Sequence, residues 1–243
     1  MTSTSCTCVI FGAGEYYARP ISIPSNSFVI AADGGLDHAR ELGVDVDFVV
    51  GDFDSITGAR PTEDGHTIVL PPEKDDPDLL SALKIGWKHG ARRFHIYGAL
   101  GGRIDHTISN IQLMALLAER GASGYLYGDG EIVTAICDGE ISFPRNNVEP
   151  GRMVSVFSHS DSSTGVSEIG LKYEIRDARM SSTRVNGLSN EFSDGNPSAI
   201  SVRHGTLIVT FPMEAPLPLV TRFHDFDGDL GRLDTSVSSA LVR

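Results

Sequence analysis

Two hydrophobic rhythms divide the chain. Up to residue 131, short apolar runs at 9–11, 28–31, 48–50, 67–70, 94–97 and 125–127 read as strands, several of them followed by Gly or Asp. Between them, 35–42, 77–89 and 107–120 carry apolar residues at helical spacing. Leu79, Leu80, Leu83 and Ile85 to Trp87 form one face, and Ile108, Ile111, Leu113, Leu116 and Leu117 another. Strands alternating with helices of these lengths predict an α/β fold, a mostly parallel sheet with helices on both faces. In such sheets ligands bind beyond the carboxyl ends of the strands. The residues just after each apolar run are therefore where chemistry is expected.

Beyond residue 131 the rhythm shortens. Runs at 133–137, 140–143, 153–158, 165–169, 171–175, 199–202 and 206–211 are β-type, separated by Asp-Gly, Glu-Pro-Gly, Asp-Ser-Ser and His-Gly turns. No helical period of three turns survives there, which predicts a small all-β sandwich or barrel. The expected organisation is an α/β domain over 1–132, the β domain over 133–216, and a tail at 217–243. The Asp, Gly and Ser content of that tail reads as flexible.

Charge narrows the partners. Of 243 residues, 20 are Lys or Arg and 32 are Asp or Glu, a formal net charge of −12. That field repels a phosphate backbone and disfavours nucleic acid as a partner. No apolar run approaches the ~20 residues that span a bilayer, and the N-terminus runs into its first strand without a basic leader, so a cytoplasmic protein is expected. Three cysteines, Cys6, Cys8 and Cys137, are too few for a disulfide framework and agree with a reducing compartment. The Cys-x-Cys pair has no second Cys or His pair at metal-ligand spacing.

Four clusters in the first domain carry candidate chemistry. Asp33-Gly34-Gly35 and Gly51-Asp52-Phe53-Asp54-Ser55 each follow an apolar run. If 52–54 is extended, Asp52 and Asp54 point to one side, and two like charges so close call for a cation, with Mg2+ the obvious oxygen-seeking one. Lys74-Asp75-Asp76-Pro77-Asp78 opens the second helix, with Asp76 a natural cap and Pro77 suited to the first helical position. Capping leaves Lys74, Asp75 and Asp78 unexplained, and a Lys among carboxylates suits a meeting of phosphate and metal. Gly98-Ala99-Leu100-Gly101-Gly102-Arg103-Ile104-Asp105-His106 opens the third helix. Its glycines allow close backbone approach at a helix N-terminus, and Arg103 adds a planar fork for phosphate. Asp105 would repel phosphate unless it binds a metal, Arg103 or a substrate hydroxyl.

In order and spacing these four motifs resemble those of the thiamine pyrophosphokinase (thiamine diphosphokinase) family, and the resemblance covers residues 8 to 214. It implies a homodimer with shared active sites, built of an ATP-binding α/β domain and a thiamine-binding β domain. It further implies Mg2+-dependent transfer of the pyrophosphoryl group of ATP to the thiamine hydroxyl, with release of AMP. Carried over by position, Asp52, Asp54, Asp78 and Asp105 resemble the metal and hydroxyl-facing acids, with Asp54, Asp78, Arg103 and Asp105 catalytic. Lys74, Gly101, Gly102, Arg103 and His106 fall on the phosphates, and Asp33, Gly34 and Gly35 resemble the nucleotide-side loop. Gly170-Leu171-Lys172-Tyr173 and Leu188-Ser189-Asn190-Glu191 resemble the thiamine clamp, with Tyr173 stacking on the pyrimidine and Ser189 and Asn190 hydrogen-bonding it.

The chain departs from the family pattern at Pro77, where Thr is common, and at Tyr173, where Trp is common. Either Asp78 or Asp105 would accept the hydroxyl proton. Two other readings share the first domain: a pyrophosphokinase for another hydroxymethyl heterocycle such as a pterin, and a nucleotide sensor without catalysis. The clamp segments argue against the first, and the full acidic set argues against the second.

Overall fold

The computed structural model describes residues 6–17, 21–54, 56–62, 64–146, 148–193 and 195–238; Ser55 of the second motif lies outside the described residues. Two compact units result, one holding the chain up to Asn110 together with the stretch from Asp229, the other Ile111–Gly228.

The first unit contains β1 (Cys6–Phe11), β2 (Phe28–Ala32), α1 (Gly35–Glu41), β3 (Phe48–Gly51), β4 (Thr67–Val69), α2 (Asp78–Lys88) and β5 (Ala91–Tyr97). Its strands run parallel in the order β5-β1-β2-β3-β4. Cys8 to Phe11 are fully buried, as expected for a central strand covered on both faces. The chain lays β2, β3 and β4 to one side of β1 and then returns with β5 on the other. The order therefore reverses between β1 and β5, and the crevice of such a sheet opens there, beyond Phe11 and Tyr97.

Two sequence expectations are corrected at α2. The helix begins at Asp78, with Pro77 in the cap position at φ −64° and ψ 153° and no side-chain cap. Asp76 sits one residue too early to cap and instead pairs with Lys84.

A third helix, α3 (Ile104–Glu119), links the units. The second unit holds β6 (Ser123–Tyr127), β7 (Glu131–Phe143), β8 (Met153–Ser158), β9 (Ser163–Ile169), β10 (Ile175–Met180), β11 (Asn190–Glu191), β12 (Ser198–Pro212) and β13 (Leu219–Arg222). The pairings described among its own strands are antiparallel. Across the chain the strands are thus mixed, not mostly parallel. Parallel pairing ends where connections shorten to hairpins that no crossover helix can span.

The Asp-Gly at 138–139 and the His-Gly at 204–205 read as turns, yet each is a kink inside one long strand. The β7·β12 register slips between Val202 and Thr206, and Asp138 Oδ1 accepts the Gly205 N–H at 2.7 Å. Facing irregularities preserve the ladder as a bulge. At this kink β12 changes partner, pairing with β9 before it and β8 after it. The strands enclose one core that includes Phe143, Phe192, Phe211 and Tyr125.

The expected strand at 171–175 is displaced to Ile175–Met180, because Gly170 sits at φ +74° and turns the chain. The stretch read as a flexible tail is structured in part. Leu219–Arg222 pair with β7, Leu230 is buried, and the Ser238 N–H donates to the Glu73 carbonyl at 2.7 Å. Polar composition concealed a four-residue edge strand. No described helix is long and apolar enough to cross a membrane.

Candidate active site

The site is assembled at the carboxyl ends of β2 and β3. Asp33 follows β2 directly, at φ +49°, a left-handed conformation that Asp tolerates better than most residues. The Asp33 N–H donates to the Val50 carbonyl of β3 at 2.8 Å. A Cβ on Gly51 would stand 2.9 Å from the Asp33 Cα, so only glycine lets these two strand ends close up. Gly35 answers a similar demand, since a Cβ there would lie 2.0 Å from the Phe11 carbonyl oxygen. Gly34 and Gly35, read as a nucleotide-side loop, are buried. Gly35 is explained by the approach of α1 to β1.

Asp52 and Asp54 converge for a different reason from the expected one. The segment is not extended: Phe53 lies at φ +59°. A left-handed residue of this size costs roughly 1–2 kcal/mol, offset by burying its ring against Ala31, Leu36 and Val49, worth roughly 1.5–3 kcal/mol. With Phe53 turned into the core, the Asp54 N–H donates to Asp52 Oδ1 at 3.2 Å. The far side of the loop is pinned by Asp37 of α1, whose Oδ2 accepts the Thr57 N–H at 2.7 Å and the Thr57 hydroxyl at 2.9 Å.

One carboxylate oxygen from each of Asp33, Asp52 and Asp54 lies within 4.8 Å of the others. Their repulsion registers on Asp54, whose pKa is raised first by Asp52, with burial and Asp33 adding to it. Lys74 and Asp78 border the cluster. Lys74 Nζ, nearly inaccessible, stands 2.9 Å from Asp78 Oδ1. Burial raises the Asp78 pKa despite that pairing, and the charges of Asp33 and Asp52 push the same way. Oxygen-only, mutually repelling donors are what a hard divalent cation requires, so the residues fit Mg2+.

The fourth motif is arranged otherwise. Gly101 and Gly102 have φ of +82° and +63°, and residues 101–106 are exposed. Arg103 grips Asp105 with two bonds, Nε to Oδ1 at 3.1 Å and a terminal nitrogen to Oδ2 at 2.6 Å, holding that carboxyl down at about 2. The His106 N–H also donates to Asp105 Oδ1. Asp105, expected among the metal ligands, is thus committed to Arg103, while Asp33, expected on the nucleotide side, stands in the acidic cluster.

Four residues escaped the sequence reading. Gly12 and Gly14, just after β1, donate their N–H groups to the carbonyls of Tyr97 and Gly98, both at 2.8 Å, lining the crevice at the strand reversal. A Gly-x-Gly after the first strand was the available signal. Asn110 of α3 is buried and donates to the Ala99 carbonyl at 2.7 Å, fixing the glycine turn. Asp37 carries no local signal, because its partner is twenty residues away.

In the second unit, Tyr173 is 57% exposed and so free to meet a ligand. Lys172 Nζ lies 5.2 Å from its ring centroid and bonds Glu191 at 2.7 Å. Ser189, at φ +60°, is exposed. Asn190 is buried, and its amide is engaged by the protein: Oδ1 accepts the N–H groups of Tyr173 and Glu191, while Nδ2 donates to the Tyr173 carbonyl and to Glu168. It holds the Tyr173 backbone, and both of its amide donors are engaged within the protein.

Known proteins share this fold. The family model "Thiamin pyrophosphokinase, catalytic domain" matches residues 22–125, and "Thiamin pyrophosphokinase, vitamin B1 binding domain" matches 140–207. Thiamin pyrophosphokinase 1 of Caenorhabditis elegans is 24% identical over 173 residues, covering 67% of this chain and 70% of that protein. Among solved structures, thiamine pyrophosphokinase from Bacillus subtilis superposes with a TM-score of 0.72 at 23% identity, covering 85% of this chain and 98% of that one. The enzyme from Candida albicans gives 0.67 at 15%, covering 86% and 89%.

The electrostatics make a test possible without substrate. A carboxyl whose pKa is raised on folding confers stability only when protonated, and that stability is lost as pH rises through the carboxylate range. At pH 7 the cluster is therefore a net repulsion in the absence of cations. Asp52→Asn removes its largest part, so in chelator the variant is expected to melt at or above the wild-type temperature. Added Mg2+ or Mn2+ should raise the wild-type melting temperature more than the variant's. Equal shifts in differential scanning fluorimetry would show that the three carboxylates do not act together on a cation.

Proposed function

The chain belongs to the thiamin pyrophosphokinase family, and from that premise we propose how its residues divide the work of moving the pyrophosphoryl group of ATP to thiamine. The observation that carries the assignment is the convergence of Asp33, Asp52 and Asp54 beside the Lys74–Asp78 pair, at the carboxyl edge of the parallel strands. Asp33, Asp52 and Asp54 would hold Mg2+, which would supply neutralisation of negative charge on a polyphosphate. Lys74 places a point charge beside that cluster. The Gly98–Gly102 turn offers backbone N–H groups to ATP, with His106 beside it. Arg103 is exposed and grips Asp105 through Nε and one terminal nitrogen, which leaves its other terminal nitrogen for a polyphosphate oxygen.

The reaction forms a bond from the thiamine hydroxyl oxygen to the β-phosphorus of ATP. It breaks the bond from that phosphorus to the oxygen bridging the α and β phosphates, and AMP leaves with the electron pair. The hydroxyl proton needs an acceptor. Asp105, held near 2 by Arg103, is a weak base, whereas Asp78, raised by burial, is a stronger one. We assign the proton to Asp78. The remaining barrier is lowered by position and charge, as in phosphoryl transfer generally.

Thiamine is a cation with two flat aromatic rings, and Tyr173 with Ser189 presents an exposed aromatic face and a hydroxyl to it. Asn190 supports them. The free cysteines suit a reducing compartment, and a cytoplasmic, ATP-supplied enzyme is the reading we adopt.

AMP formation from ATP is expected to require both thiamine and a divalent cation, and to stop in excess chelator. Asp54→Asn should lower kcat about 100-fold or more with little change in thiamine KM, as when one preorganised electrostatic contact is lost. Liquid chromatography of AMP and thiamine diphosphate checks both. Thiamine-independent AMP release would return the chain to the class of other nucleotide users.

We further infer a homodimer in which the β domain of one copy completes the nucleotide site of its partner, since the phosphate motifs and the aromatic clamp lie in different units. Asp54→Asn chains mixed with Tyr173→Ala chains, each nearly inactive alone, should then recover activity. Demonstrated subunit exchange with no recovery would overturn the shared site.

A further inference from the structure

Glu168 is an anomaly of the second unit. It sits on β9 between Ile175 of β10 and Ile200 of β12 and is fully buried, at 0% exposure. A carboxyl so placed is costly unless its oxygens are bonded. Only one is satisfied: Oε2 accepts from Asn190 Nδ2 at 2.7 Å, while Oε1 has no hydrogen-bond partner among the described residues. An aliphatic side chain would fill the position without that cost. Burial raises the Glu168 pKa, and the Asn190 bond opposes the rise.

The single bond it makes favours one orientation of Asn190, because an amide has a donor end and an acceptor end. With Nδ2 drawn to Glu168, Asn190 Oδ1 faces the Tyr173 N–H at 3.0 Å and the Glu191 N–H at 2.9 Å, and Nδ2 also reaches the Tyr173 carbonyl at 2.8 Å. Both backbone groups of Tyr173 are thereby held by one side chain. The opposite amide orientation would set a donor against two donors. The 57% exposed Tyr173 ring thus stands on a backbone fixed from below.

We propose that Glu168 is a positioning residue for thiamine recognition, acting through the Asn190 amide to fix Tyr173. The proposal rests on the reading that Tyr173 contacts thiamine, and it explains why an uncompensated buried oxygen is kept. Glu168→Met retains volume and removes the acceptor; Glu168→Gln retains an acceptor oxygen for Asn190. Steady-state kinetics in thiamine and in ATP, with thermal melts of each variant, test it beside Tyr173→Ala. The expected result for Glu168→Met is a melting temperature at or above wild type and a thiamine KM raised about tenfold, the scale of one charge-assisted hydrogen bond. Its kcat and ATP KM should stay within about twofold of wild type, and Glu168→Gln should restore thiamine KM.

An unchanged thiamine KM in Glu168→Met, with a raised one in Tyr173→Ala, overturns the positioning role and leaves the clamp intact. An unchanged thiamine KM in Tyr173→Ala overturns the clamp and the proposal with it. A Glu168→Gln variant as impaired as Glu168→Met overturns it too, since charge would then be what matters. Should Glu168→Met give no cooperative melt, the shorter, strand-favouring Glu168→Thr takes its place with the same expected and contrary results.

Discussion

Repulsion among three carboxylates at one sheet edge is the constraint around which the first unit is organised. Asp33, Asp52 and Asp54 are driven together against their charge, and every nearby feature serves to hold them there. Gly51 permits the close approach of Asp33, Phe53 anchors the loop by burying its ring, and Asp37 ties down the loop's far side. Such an arrangement stores unfavourable electrostatic energy in the cation-free protein, which a bound divalent cation would relieve. The fold supplies what makes this possible: parallel strands ending at one edge, with loops free to differ above a rigid base.

The second unit solves a different problem, presenting an aromatic side chain to solvent without letting it wander. Tyr173 follows a glycine turn and belongs to no strand, so its order comes from side-chain bonds. Asn190 supplies them from the adjacent β11, and Glu168 supplies the orientation of Asn190 from beneath. The exposed platform therefore depends on polar groups that are themselves excluded from water.

How much of this the sequence disclosed can be seen element by element. The parallel strands and their helices were legible because apolar runs and helical periods are local signals, and the four motifs were correctly located at strand ends and helix starts. The long strands β7 and β12 were each read as two, since Asp138-Gly139 and His204-Gly205 carry turn chemistry. Only pairing across the ladder shows that the two irregularities face each other. Asp33 reads as part of a nucleotide-side loop because its proximity to Asp52 depends on β2 lying beside β3, which no spacing along the chain reveals. Asp105 was grouped with the metal-facing acids, although its partner stood two residues away. The choice between Arg103 and a cation is one of three-dimensional distance. Asn190 looked like a substrate contact because its amide is versatile, but buried amides satisfy themselves internally first.

The central claim is that the cation-binding acids are Asp33, Asp52 and Asp54, with Asp105 outside the set. Titrating Mn2+ into the protein with a non-hydrolysable ATP analogue, and following free Mn2+ by electron paramagnetic resonance, tests it most directly. The account predicts that Asp33→Asn weakens Mn2+ binding about tenfold or more, the usual scale for loss of a direct ionic contact, while Asp105→Asn binds as wild type does. Strong loss in Asp105→Asn with none in Asp33→Asn would contradict it.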